Sequence, residues 1–252
     1  PSRPDADEKG RLKPFQTASE AENTTMDRQR QQDEEHQAYL LCRGQNAAQL
    51  AGLIADPATG RTLRYAAARA LQHLPYAQIE DTVYRLLDGQ YAKTRAAAVF
   101  VTGQMQTALT PAQTGKIGGT LAAILQSGEK TTVKAESLIA LAHLFRRQTL
   151  APSDYARFEN AVRPYFAAPA ATLIFALIFV SAYLPKRPYI ESFLLKQLAA
   201  GTRGKASWAL FAIAERGYRS DAIRACLHEK LSGLGKNSDF RHEILDYLAQ
   251  NG

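Results

Sequence analysis

Thr131–Phe145 reads TTVKAESLIALAHLF, with a basic residue near its start and small or apolar side chains behind it. That spacing is the pattern of an amphipathic helix. Versions of it recur along the chain. Thr62–Leu74 is TLRYAAARALQHL, and Ala92–Met105 is AKTRAAAVFVTGQM. After the central copy come Ala171–Leu184 (ATLIFALIFVSAYL), Thr202–Ala214 (TRGKASWALFAIA) and Phe240–Ala249 (FRHEILDYLA). The early basic residues Arg64, Arg95, Lys134, Lys205 and Arg241 are separated by steps of 31, 39, 71 and 36. The longest step is close to two shorter ones, and the copy it passes over is the wholly apolar one.

Between successive copies lies a further helix-length segment, so the unit is a helix pair. A period of this length marks an α-solenoid, in which each pair buries its apolar faces against its neighbours. From Gln45 to Gly252 the chain resembles the HEAT-like repeat families. The resemblance implies an all-α fold of about six helix pairs wound into a right-handed superhelix, with almost no β structure. Few segments alternate apolar and polar residues with period two, which agrees. It points to a scaffold rather than to an activity.

A chain of 252 residues allows one or two domains, and a continuous solenoid counts as one. The reading is a single helical domain over residues 24–252, preceded by a polar linker over 1–23. That linker is rich in Pro, Glu, Ala, Ser and Thr and is expected to be disordered. Residues 1–37 carry six Lys/Arg and nine Asp/Glu, leaving 25 basic and 15 acidic residues in the remainder. The body is therefore +10 and attracts anionic partners at long range, without choosing among nucleic acid, lipid headgroups and acidic protein. Distributed Lys and Arg on solvent faces are the plainer account of it. The two cysteines, Cys42 and Cys226, lie near opposite ends of the folded region. Stacked pairs would keep them apart, so two free thiols are expected rather than a disulfide.

Along the chain, a helix is expected to about Arg43, capped by Thr24 or Thr25, with only Tyr39, Leu40, Leu41 and Cys42 anchoring it. Gln45–Ala55, Tyr76–Leu87 and Ala112–Leu125 follow as intervening helices. The last is expected to be weak because it holds Gly115, Gly118 and Gly119. Ser153 or Asp154 should cap a helix running through Tyr165. Phe166–Leu184 has no formal charge over 19 residues, long enough for a membrane span. Pro169 and helical copies on both sides favour a buried helix instead. Tyr189–Ala200, Ser220–Leu231 and Ser238–Gln250 complete the pattern, with His242, Glu243 and Asp246 on the polar side of the closing helix.

The motifs of catalysis are missing. Gly115-Lys116 is followed by Ile117, so no phosphate-binding P-loop forms, and there is no C-x-x-C or G-x-S-x-G. His242 and Asp246 share a helix face as two metal ligands could, but a zinc protease would place a second histidine at 246. Glu80-Asp81 and Asp33-Glu34-Glu35 are runs of adjacent acids that point in different directions around a helix. The chain is thus expected to be no enzyme and to hold no cofactor or metal.

In the HEAT-like families an early basic residue commonly pairs with an acid in a neighbouring turn, and Asp56, Asp88, Glu129 and Asp239 are so placed here. The resemblance therefore implies a structural ladder. The rival reading is a basic groove tracking phosphates, as in helical-repeat proteins related to base-excision enzymes. Trp208 sits in an apolar stretch and fits a core or an interface. The reading adopted is a non-catalytic scaffold that binds a protein partner along one curved face. Its candidate contacts are Arg64, Arg95, Lys134, Arg146, Arg147, Lys205 and Trp208. The chain begins PSRPDADEKG without an initiator methionine, as a processed product would, which favours the periplasm or outer envelope of a Gram-negative bacterium. Membrane attachment would then come through an N-terminal anchor outside this sequence. The whole resembles envelope accessory proteins, such as those that help assemble or stabilise type IV pili. A cytoplasmic nucleic-acid binder and an immunity or antitoxin-type scaffold are the alternatives.

Overall fold

Capping side chains start several of the helices. Asn46 opens α2 (Ala47–Ala55) with a capping box, its side chain accepting from Gln49 N while Gln49 returns the bond. Thr110 and Gln113 do the same for α6 (Pro111–Gln126), with Pro111 in the first turn. Ser220 accepts from Ile223 N at the start of α13 (Asp221–Gly233). Gly217 ends α12 (Arg203–Arg216) in the left-handed region at φ 65°, and Tyr218 N reaches back to Ile213 O. The computed structural model in which these helices lie describes residues 25–147, 150–236 and 238–251, and the protein is all-α, with no strand among those residues. The linker expected over 1–23 and the cap expected at Thr24 lie outside them.

Alternate helices form two rows. One holds α3 (Arg61–Gln72), α5 (Ala92–Gly103), α7 (Thr131–Arg147), α10 (Ile174–Ser181), α12 and α14 (Asp239–Asn251), each beside the next. α1 (Thr25–Cys42) covers the near end by packing on α3. The second row runs through α2 and α4 (Tyr76–Leu87), α6 and α8 (Pro152–Val162), then α11 (Pro188–Ala200) and α13. A short α9 (Pro164–Ala167) lies against α8 and α11. Within the first row neighbours run parallel: Arg203 meets Asp239 and Ser207 meets Glu243 at the same offset. One apolar core joins both rows from Ala38 to Tyr247.

Three local expectations are corrected. Tyr39, Leu40 and Leu41 do not anchor α1; they are 40, 43 and 65% exposed, while Ala38 and Cys42 are buried. Residues four apart share a helix face, and it is the face of Ala38 and Cys42 that meets α3. The glycine-bearing helix is not weak either, since α6 is continuous over its length. A Cβ on Gly118 would stand 2.3 Å from the Phe158 ring of α8, and one on Gly115 would stand 3.0 Å from Asp154. The glycines are the surface on which α8 lies, and that packing offsets their poor helix propensity. Finally, α8 begins at Pro152 after Ala151, and neither Ser153 nor Asp154 caps it. Residues 166–184 form no long span: α9 ends at Ala167, a 3-10 turn takes Ala171–Leu173, and α10 is short. Leu177, Phe179 and Val180 there are buried, and no described helix is long and apolar enough to cross a membrane.

Candidate interaction face

The early basic residues sit in the first turns of the first-row helices, and the three arginines among them reach the carbonyl ends of the second row. Arg64 is 3% exposed, donating Nε to Ile54 O at 3.1 Å and Nη2 to Asp56 O at 2.7 Å. Arg95 donates Nη1 to Gly89 O and Gln90 O just past α4, and grips Glu129 with Nε and Nη2 at 2.5 and 2.8 Å. Arg241 donates to Leu231 O in the last turn of α13. A cation suits these positions because unsatisfied carbonyls and the helix dipole both make a C-terminus negative. Burial lowers the pKa of Arg64, while Glu129 holds that of Arg95 up and is itself held below the usual carboxylate range.

The two lysines of the series show no carbonyl bond. Lys134 Nζ lies 5.7 Å from the Tyr165 ring centre, and Lys205 Nζ lies 5.8 Å from that of Phe175. Arg146 and Arg147 stand at the other end of α7, away from the series, where Arg147 donates to Met105 O beyond α5. Trp208 is half-buried between Phe179 and Phe211, with ring centres 6.3 and 5.7 Å away. The expected contacts thus divide among two helix-end edges and one face. Arg64 is a clear correction, because it has no surface to offer a partner. The pairing changes too: Arg64 meets the main chain of Asp56, Glu129 serves Arg95 and not Lys134, and Asp239 pairs with Arg203 at 3.4 Å.

What the first row does present is aromatic. Tyr65 of α3 meets Phe100 of α5 edge-on at 5.1 Å. His143 of α7 leans on Phe179 of α10 at 5.3 Å, and Phe179 leads through Trp208 to Phe211, which is 40% exposed. Between these groups stands Glu136 of α7, whose Oε1 accepts from the Tyr65 hydroxyl at 2.8 Å. Burial pushes the Glu136 carboxyl up to about 7, against the opposing pull of the Tyr65 hydrogen bond and of Arg61. Burial pushes His143 down to about 4, helped by Arg147 and Arg146. From sequence, His143 is assigned to packing or capping, and Glu136 is not singled out. A signal was present for Glu136, the one acid within Thr131–Arg147.

Elsewhere, α1 and α3 flank a groove of about 880 Å³ whose walls include Arg30, Glu34, Leu41, Arg61 and Leu63. Cys42 and Cys226 are both free, with thiol pKa values raised by burial. His242, Glu243 and Asp246 are exposed on α14. Among the described residues no group of three or more His, Cys, Asp or Glu side chains converges as a metal site would. Compared with known proteins, the chain matches no family profile, and no curated protein is significantly similar to it in sequence.

Proposed function

We propose that the chain is a non-catalytic scaffold, a HEAT-like α-solenoid of right-handed superhelical twist, that binds a protein partner on the aromatic face of its first helix row. The observation that carries this reading is Phe211, 40% exposed and backed by Trp208 and Phe179 in one aromatic run. An exposed aromatic side chain with a packed aromatic base is the usual composition of a binding hot spot. The phosphate-tracking alternative rests on the +10 body, but Arg64 and Arg95 at the head of its ridge already hold carbonyls and Glu129. We place the scaffold in the bacterial envelope, among accessory factors of the kind that serve type IV pili; fractionation of the producing cells tests that setting.

The test of the binding reading uses a photo-crosslinking residue at Phe211 in the producing cell, with Lys236 on an exposed loop as the control position. One protein should crosslink at 211 and not at 236, and Trp208→Ala, with helicity unchanged, should abolish the product. Equal products at both positions would sink the protein-binding assignment. Duplex DNA or RNA bound by the purified chain with a steep negative log–log salt slope would replace it with the nucleic-acid reading.

A further inference from the structure

Tyr65 and Glu136 are 71 residues apart and belong to α3 and α7, which α5 separates in the row. Packed helices lie about 8–10 Å apart, so the axes of α3 and α7 in a flat row would be roughly 16–20 Å apart. Side chains rising from such a row would have to lean across the middle helix to touch. Here they meet at hydrogen-bond distance, with Phe100 of α5 edge-on to Tyr65 and the Arg61 guanidinium 5.8 Å from the Tyr65 ring centre. Other side-chain bonds within the row join nearest neighbours, as Gln72 does with Phe100 O, and Ser207 with Glu243.

We propose that the Tyr65–Glu136 hydrogen bond is a clasp that ties α3 to α7 over α5 and sets how far this part of the row bends toward its aromatic face. Its position gives a single bond that leverage. The bond lies at the surface of the row, where both partners are half-buried, and a tie placed far from the axis of bending resists bending best. The clasp is a property of the fold and holds whether or not the face binds a protein.

Its test needs no partner. Nitroxide labels at Thr62→Cys and Thr132→Cys, one turn before the two clasp residues, would report the α3–α7 distance in a chain whose Cys42 and Cys226 are replaced by alanine. Pulsed dipolar spectroscopy should give one narrow distribution in the parent and in Glu136→Gln, whose amide oxygen still accepts from Tyr65. Tyr65→Phe keeps the ring against Phe100 but cannot donate; its distribution should move to longer distance and about double in width. Glu136→Leu, which removes the acceptor, should do the same with unchanged helicity. Distributions for Tyr65→Phe and Glu136→Leu that superimpose on the parent would overturn the clasp. So would a shift in Glu136→Gln as large as that in Tyr65→Phe.

Discussion

Glu136 and His143 stand two turns apart on α7, and their pKa values are displaced in opposite directions by the same cause. Folding carries Glu136 from 4.5 to about 7 and His143 from 6.5 to about 4. Between pH 4.5 and 7 the folded chain keeps the Glu136 proton that the unfolded chain has lost, so stability falls as pH rises. Between pH 4 and 6.5 the unfolded chain holds a His143 proton that the folded chain rejects, so stability rises with pH. Each effect is worth about 1.4 kcal/mol per pH unit, and about 3 kcal/mol over its full range. From pH 5 to 6.5 the two cancel, and the wild-type contribution from this pair is level. Glu136→Gln keeps the hydrogen-bond acceptor and removes the titration. Its stability should climb by about 2 kcal/mol from pH 5 to 6.5 and then level. His143→Leu leaves Glu136 alone, and its stability should drop by about 3 kcal/mol from pH 5 to 7. Urea unfolding, followed by the single tryptophan and by helicity, reads all three curves. Starting at pH 5 avoids the acid range in which Glu129, whose pKa is lowered, takes up its proton. Two variants that tilt the same way, or a Glu136→Gln curve as level as the wild type, would refute the reasoning.

Two further outcomes follow from close contacts. Arg64→Met should cost about 2–3 kcal/mol in urea unfolding, because two hydrogen bonds from a buried guanidinium to main-chain carbonyls are lost; Arg64→Lys should recover only part, and exposed Arg146→Ala should change stability by less than about 0.5 kcal/mol. Gly103→Ala should destabilise by roughly 1–3 kcal/mol despite its better helix propensity, since the new Cβ would stand 2.6 Å from the Ala140 Cα, while Gly52→Ala, with open space around it, should stabilise by up to about 1 kcal/mol.

The helices of the first row were legible because each copy carries its own local period, and α4 has the bounds read from its sequence. A helix start was legible where a side chain does the capping, as at Ser220. The partners of the basic residues were not. A sequence advertises acids such as Asp56 and Asp239, but a carbonyl at a helix end looks the same beside every residue type. Arg64 and Arg241 chose carbonyls, and nothing in the spelling of the chain marks that choice. The turn at Tyr39–Leu41 misled for another reason: three apolar residues in a row cannot all share one helix face. Tyr65 and Glu136 were hidden by their separation, since their meeting depends on how three helices stack and not on any local pattern.

Besides Arg64 and Arg241, the cations Lys93, Arg147, Lys186 and Lys230 donate to carbonyls at or beyond helix ends, and each reaches a helix or loop other than its own. A carbonyl accepts without carrying a formal charge. Each such fastening therefore leaves one positive charge unbalanced in the tally of titratable groups, whereas an ion pair leaves none. On this view the sequence isoelectric point near 9.4 is in part a record of how many helix ends are stitched to their neighbours. A chain built this way drifts basic as it gains helices, whatever it binds.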